Sequence, residues 1–174
     1  MATPADRTRF ETLVLVHLDA AHNLARWLMR DDHNAHDAVQ DASLRAWRSF
    51  DSFRGGDGRA WLLTIVRNTC YTLLRQSKSA AEFEREMTDQ TEAAAASDEL
   101  DPALIAARSA DAEAVRGAIE QLPAVLREAI VLREMEAMDY RQIAHVTGAP
   151  IGTVMSRLSR ARRQLAELLT QRKE

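Results

Sequence analysis

At 174 residues, 46% of them hydrophobic and 5% aromatic, the chain is long enough for two small domains but too poor in aromatic residues, glycine and proline for a β-sandwich. Its single cysteine, Cys70, excludes an internal disulfide framework, and no Cys/His cluster offers a complete structural zinc site. The net charge of −3 argues at first against a nucleic-acid ligand, because a phosphate backbone is bound by a basic surface. The composition predicts an all-α fold.

The charge is unevenly distributed along the chain. Residues 1–81 hold 11 basic and 9 acidic side chains, residues 82–113 hold 2 and 10, and residues 114–174 hold 10 and 7. The middle segment is also rich in alanine, serine and threonine and has little that forms a core, so it predicts an acidic flexible linker, with a solvated helical connector as the alternative. We therefore expect two small helical domains, 1–81 and 114–174, joined by the linker 82–113.

Three helices are predicted in the first domain. Apolar residues recur at helical spacing over residues 10–28, before a polar break at 30–34. A second helix, at about 35–50, is followed by a break at 51–58 whose three glycines allow backbone conformations that other residues avoid. The third helix is predicted at about 59–75, and the domain ends near residue 81.

The second predicted helix has two distinct faces. Its apolar stripe consists of Val39, Ala42, Ala46 and Phe50. The polar residues on the opposite side are Asp37, Asp41 and Arg48. One face is expected to pack in the core, which leaves the other available.

The C-terminal domain begins with two predicted helices, 115–122 and 123–136, with Pro123 in the first turn of the second. Further on, Asp139 and Gln142 have the spacing of a capping box at the start of a short helix. Gly148 can supply the left-handed residue that ends this helix.

Pro150 begins the next predicted helix only two residues after Gly148, which gives the short helix, tight turn and long helix of a helix-turn-helix. On the long helix the inward stripe is Val154, Leu158, Ala161 and Leu165. The outward or bordering residues are Thr153, Ser156, Arg157, Ser159, Arg160 and Arg163. Short hydroxyl side chains permit close approach to DNA, and arginine pairs with guanine edges or phosphates. The alternative is that these arginines only solvate an exposed helix.

Three segments, in order, resemble extracytoplasmic-function sigma factors of the sigma-70 family, the initiation subunits of bacterial RNA polymerase. Residues 37–47, DAVQDASLRAW, resemble the polymerase-binding helix, and residues 53–68 resemble the minus-ten promoter-recognition segment. Residues 140–165 resemble the fourth conserved region. The sequence departs from the family at Asp41, where Glu is more frequent, and at Met155, where Lys is frequent.

The resemblance implies three sets of contacts with core RNA polymerase and promoter DNA. The residues placed against the clamp helices of the largest polymerase subunit are Asp37, Gln40, Asp41 and Arg45. Those placed at the minus-ten element, where an unstacked base is captured, are Ser52, Phe53, Arg54, Arg67, Asn68, Tyr71 and Arg75. The outward residues of the last helix would read the minus-thirty-five element. A place in the core remains the alternative for Phe53, Trp61 and Tyr71.

The resemblance further implies an anti-sigma factor as a partner and a role in a stress or envelope response. No cofactor, metal or catalytic residue is expected, since the five histidines form no convincing ligand set and no catalytic spacing is recognisable. Without a long apolar run or a signal-peptide pattern, we expect a cytoplasmic protein with no direct membrane insertion. The alternative function is an independent helix-turn-helix regulator whose N-terminal domain dimerises or binds a ligand.

Overall fold

The computed structural model describes residues 4–87 and 112–171. Within these ranges the regular structure is entirely helical and contains no strand, and the chain divides into two compact units. The predicted all-α fold with two helical domains is thereby confirmed.

The first unit is built from four helices. They are α1 (Pro4–Leu13), α2 (Leu18–Met29), α3 (Asp32–Arg48) and α4 (Gly58–Ser77). Helices α2, α3 and α4 pack against one another and enclose the core of the unit. The predicted apolar stripe of α3 and the following turn is buried, which leaves the opposite face of α3 toward solvent.

The single first helix that the sequence predicts is in fact two helices. At Val14 the backbone leaves helical geometry, with φ −121 and ψ −55, and a 3-10 turn over Leu15–His17 separates α1 from α2. No glycine or proline marks this break, and the apolar spacing continues through it. Burial, together with the charge of Arg59, lowers the pKa of His17 in the turn.

Side-chain caps define the starts of α3 and α4. Asp31 accepts a hydrogen bond from the backbone N–H of Asn34 at 2.7 Å, so α3 begins three residues earlier than predicted. Asp57 caps α4 in the same way by accepting from the N–H of Ala60 at 3.0 Å. Each carboxylate satisfies an amide that would otherwise have no partner at the helix start.

The loop between α3 and α4, residues 50–57, is called the glycine loop below. It opens with a 3-10 turn over Phe50–Ser52, and its two adjacent glycines adopt left-handed φ values, 90 at Gly55 and 97 at Gly56. The third glycine, Gly58, serves a different purpose. A Cβ at Gly58 would collide with the backbone carbonyl of Leu13, so only glycine allows the start of α4 to approach the end of α1.

The second unit is built on α5 (Ala80–Met87), α6 (Ala112–Gln121), α7 (Ala124–Ile130) and α9 (Ile151–Gln171), with α8 (Tyr140–Thr147) leading into α9. Helix α9 packs against α6 and α7. Helix α7 is buried along its whole length and continues into a π-helical turn over Val131–Met135. Pro123 lies immediately before α7 instead of inside its first turn.

The start of the expected linker differs from the prediction. Residues 82–87 belong to α5, which packs against α7. Phe83 and Met87, one turn apart, are half-buried while Glu82 and Glu84 are exposed, which is the pattern of a helix with one apolar side. The remainder of the predicted linker up to residue 111 lies outside the described residues.

A buried arginine joins α6 to α7. The Nη1 of Arg127 donates to the carbonyls of Glu120, at 3.0 Å, and Leu122, at 3.2 Å. These carbonyls belong to the C-terminal end of α6, where backbone acceptors have no partner within the helix. Arg127 therefore caps α6 from within the core.

Replacing Gly58 with alanine is expected to destabilise the first unit by about 1–3 kcal/mol, because the added methyl group forces α4 away from the Leu13 carbonyl. Urea denaturation followed by far-UV circular dichroism measures the change, and tryptophan fluorescence locates it, since Trp27, Trp47 and Trp61 all lie in this unit.

The matched control is Gly152→Ala in α9, where a Cβ meets no atom within 4 Å. Alanine should there be neutral or stabilise the helix by about 0.5–1 kcal/mol, because it restricts the unfolded chain more than glycine does. Equal stability of the Gly58 and Gly152 variants would contradict the close-approach argument.

Candidate functional site

The polar face of α3 brings together the four residues predicted to bind polymerase. Asp37, Gln40 and Arg45 are exposed and Asp41 is half-buried. Both Nε and Nη2 of Arg45 lie 3.0 Å from Oδ2 of Asp41, an exposed pair one helical turn apart that contributes little to stability. The helix thus presents a mixed-charge surface whose side chains can exchange their local partners for those of another protein.

Two histidines in the first turn of α3 contact this face. Nε2 of His33 lies 3.6 Å from Oδ2 of Asp37, and Nε2 of His36 lies 3.0 Å from Nε2 of Gln40. The ring of His36 also stacks on that of His22 in α2, with ring centroids 5.6 Å apart. Among the described residues no group of three or more His, Cys, Asp or Glu side chains is placed to hold a metal ion.

Leu44, which is not among the predicted site residues, lies on the same face of α3. It is 55% exposed and follows Gln40 and Asp41 by one helical turn. Helical spacing already places Leu44 outside the apolar stripe, so the sequence contains the signal that this leucine is exposed. An exposed leucine within a polar ring matches the composition of protein–protein contact sites.

The glycine loop and α4 hold the residues predicted to contact the minus-ten element. Ser52, Arg54, Asn68 and Arg75 are exposed. The guanidinium of Arg67 lies over the ring of Tyr71, 4.6 Å from its centroid. The exposed residues of the loop and of α4 thus include two hydroxyl- or amide-bearing side chains and two arginines.

Two predicted contact residues, Phe53 and Tyr71, are core residues in the structure. Each is only 6% exposed, so neither ring is accessible to a base. Phe53 packs on Trp61, with ring centroids 5.0 Å apart, and on Phe50, at 5.9 Å. For both residues the core placement that the sequence left open is the one observed, and for Phe53 the aromatic packing on Trp61 and Phe50 accounts for it.

The start of α8 has the predicted capping box. The Asp139 carboxylate accepts from the N–H of Gln142 at 2.8 Å, and the N–H of Asp139 donates to Oε1 of Gln142 at 2.9 Å. Gly148 has φ 67, and α9 begins directly after Pro150, whose carbonyl accepts from the N–H of Val154 at 3.0 Å. The short helix, tight turn and long helix are thus confirmed.

Arg133 supports the loop that precedes α8, a role that spacing alone does not reveal. Its Nη1 donates to the carbonyl of Met138 at 2.9 Å, and its guanidinium lies 5.1 Å from the ring centroid of Tyr140. The same loop contains Ala137 at φ 51, a left-handed conformation that is uncommon for alanine. Arg133 therefore fixes the direction in which α8 starts.

On α9 the inward stripe is buried as predicted. Of the outward residues, Arg163 is exposed, and four others are half-buried: Thr153, Ser156, Arg157 and Ser159. Arg162, on the same helix, is bound to Glu134 of the π-helical turn at 3.3 Å.

Arg160 departs from the expectation that it faces solvent. It is only 6% exposed, and its Nε lies 3.4 Å from the carbonyl of Ser156, one turn earlier in α9. Its long side chain folds back along its own helix, as arginine stems commonly do on apolar surfaces. The position that spacing assigns to an arginine on a helix therefore does not decide where the charged end lies.

No helix in the described part of the chain is both long and apolar enough to cross a membrane.

Comparison with known proteins places both units in one family. Residues 13–80 match Sigma-70 region 2, and residues 112–165 match Sigma-70 region 4. The ECF RNA polymerase sigma factor SigM of Mycobacterium tuberculosis is 36% identical over 168 residues, which cover 94% of this chain and 79% of SigM.

Two solved structures resemble the whole chain. The sigma factor RpoE from Bartonella quintana, in complex with the anti-sigma factor NepR, matches with a TM-score of 0.70 and 32% identity, over 93% of this chain and 97% of RpoE. CnrH, in complex with the cytosolic domain of CnrY, matches with a TM-score of 0.64 and 28% identity, over 95% and 90% of the two chains.

Regions 2 and 4 on one helical chain define the class of protein, a sigma factor that directs RNA polymerase to promoters. The chain belongs to the extracytoplasmic-function sigma factors of the sigma-70 family. This membership decides against an independent helix-turn-helix regulator, the alternative that the sequence allowed.

Replacing Arg160 with alanine is expected to lower the free energy of unfolding by about 1–3 kcal/mol, because it removes a buried side chain and its hydrogen bond to Ser156. Thermal unfolding measured by circular dichroism tests this. The control is Arg163→Ala on the exposed side of the same helix, which should change stability by less than about 0.5 kcal/mol. A fully stable Arg160 variant would restore the interpretation of Arg160 as a surface charge.

Proposed function

We propose that three surfaces of this sigma factor make the contacts needed for transcription initiation. The polar face of α3 binds core RNA polymerase, the glycine loop with α4 captures the minus-ten element, and α9 reads the minus-thirty-five element. The observation that supports this most directly is that α3, α4 and α9 each bury an apolar stripe and keep polar side chains wholly or partly exposed on another side.

The polymerase surface comprises Asp37, Gln40, Asp41 and Arg45, to which the structure adds the exposed Leu44, one helical turn after Gln40 and Asp41. A desolvated apolar side chain surrounded by polar residues is a common arrangement for the energetic centre of an interface. The charged residues around it supply orientation and association rate more than affinity.

Asp41→Arg is expected to weaken core-polymerase binding about tenfold or more, because it places a cation beside Arg45 and opposite a partner selected for a carboxylate. Fluorescence anisotropy with labelled full-length chain and purified core polymerase measures the affinity. Glu11→Arg is the matched control, since Glu11 pairs with Arg7 in α1 at the same helical spacing. An equal loss in both variants would indicate a general charge effect.

The minus-ten surface comprises Ser52, Arg54, Arg67, Asn68 and Arg75. In this proposal Asn68 holds an extruded base by its amide, and the arginines contact the single-stranded backbone. Phe53 and Tyr71 support the surface from beneath and do not stack on the base.

Asn68→Ala is expected to reduce promoter opening about tenfold or more while leaving initial duplex binding within about twofold, because an extruded base exists only after the strands separate. Permanganate reactivity of the holoenzyme on duplex and pre-opened promoters separates the two steps. The control is Gln76→Ala, which truncates an exposed amide two turns further along α4. Wild-type opening by the Asn68 variant would reject the site.

The minus-thirty-five surface is assigned to Thr153, Ser156, Arg157, Ser159 and Arg163 at the major groove. Arg160 is left out because its side chain is buried. The capping box at Asp139 and the Arg133 contact with Met138 support this surface by fixing where the helix-turn-helix begins.

An anti-sigma factor that covers one or more of these surfaces is a further expected partner, supported by the likeness to RpoE in complex with the anti-sigma factor NepR and to CnrH in complex with the cytosolic domain of CnrY. The proposal also includes a cytoplasmic site of action, since the polymerase and the promoters are there, and a role in a stress or envelope response. The chain contributes binding energy to strand opening and no catalytic group of its own.

A further inference from the structure

Helix α1 contacts both ends of the glycine loop. At one end the ring of Phe10 meets the ring of Phe50 edge to face, with centroids 5.1 Å apart, and meets Trp47 in the same way at 5.0 Å. At the other end the carbonyl of Leu13 lies against the bare Cα of Gly58. A ten-residue helix thus spans the segment between the last turn of α3 and the first residue of α4.

We propose that α1 positions the glycine loop for promoter opening and that Phe10 is the positioning residue. This inference rests on the proposed function of the loop at the minus-ten element. Phe10 touches no DNA in this proposal and acts through Phe50. It also lies before residue 13, where the region 2 match begins.

Phe53 anchors the middle of the loop, but the residues around Gly55 and Gly56 have little support of their own. Gly55 and Gly56 have no atom within 4 Å of where a Cβ would stand, and Ser52 and Arg54 are exposed. Glycine has the largest backbone freedom of all residues, so the ordering of this part of the loop depends on Phe53 and on what holds the two ends. A loop that is ordered before it meets DNA loses less conformational entropy on binding.

The contacts at Phe50 have a geometry specific to aromatic rings. Phe10 is only 5% exposed and approaches Phe50 edge to face, the arrangement that ring quadrupoles favour. The guanidinium of the neighbouring Arg9 lies over the same ring, 5.5 Å from its centroid, while its side chain stays exposed. Two consecutive residues of α1 therefore fix the ring from which the loop departs.

Phe10→Leu tests the inference in the full chain, by two measurements made below the melting temperature of every variant. Hydrogen exchange of the free protein should accelerate about fivefold or more at residues 50–57 while the α2 amides stay protected. In the holoenzyme, promoter opening should slow about tenfold with core affinity held within about twofold, since displacement of a contact loop by about 1 Å is costly.

Leu24→Ala is the matched control, because Leu24 is fully buried in α2 of the same unit. It should lower the melting temperature at least as much as Phe10→Leu and leave loop exchange and opening at wild-type values. If Phe10→Leu does not fold, Arg9→Ala replaces it, since Arg9 is exposed; loop exchange should then rise about twofold.

Two results would overturn the inference. One is hydrogen exchange at residues 50–57 that stays at the wild-type rate in the variant used. The other is promoter opening that slows in proportion to the lost stability in both Phe10→Leu and Leu24→Ala. The inference would also be overturned if Phe10→Leu opened promoters at the normal rate while Asn68→Ala and Arg54→Ala opened them slowly. In that case the assignment of the loop and α4 to the minus-ten element would still hold. Normal opening by Asn68→Ala and Arg54→Ala would instead overturn the proposed function.

Discussion

The approach of the Leu13 carbonyl to Gly58 is the constraint on which the first unit depends. It requires that α1 stop at Leu13 and that position 58 have no side chain. It also fixes where α4 begins, and Asp57 then caps α4 at that point. Because the glycine loop must end at this contact, its path is set by packing beneath it together with the left-handed glycines and the buried Phe53 of the loop itself.

In both units, buried residues support the residues that are exposed at the proposed binding surfaces. The guanidinium of Arg67 lies over the buried ring of Tyr71. The buried rings of Phe50 and Phe53 hold the exposed residues of the glycine loop. The start of the helix-turn-helix is held by the loop that Arg133 contacts. A binding surface made of flexible side chains keeps its specificity when the backbone beneath it is rigid. Phe53 and Tyr71, which were expected to contact DNA, instead support the surface from the core beneath it.

Much of the fold could be predicted because local rules and packing agree. The apolar stripes of α3 and α9, the capping box at Asp139 and the left-handed Gly148 are all encoded within a few residues. The break at Val14 could not be predicted, since it depends on a contact with residue 58, far away in sequence. Helix α5 was hidden by its acidic composition, although Phe83 and Met87 have the spacing of a docking pair.

The exposure of the predicted site residues could likewise be predicted only where local rules decide it. Spacing correctly placed Asp37, Arg48 and Asn68 at the surface, because the faces of their helices that pack in the core are occupied by apolar residues. Three long or amphipathic side chains did not follow: Arg160, Phe53 and Tyr71 lie buried although the sequence allowed exposure. Their direction is decided by neighbours from other turns or elements, which periodicity does not describe.

The buried Arg127 has a consequence for how the second unit comes apart. Its guanidinium keeps its charge at any accessible pH, and it holds the last carbonyls of α6 from inside the core of α7. Separation of the two helices would break both hydrogen bonds of this charged side chain, and hydrogen bonds to charged groups contribute more to stability than ordinary ones. Helices α6 and α7 should therefore open as one cooperative block, with slow and correlated amide exchange across the corner that joins them.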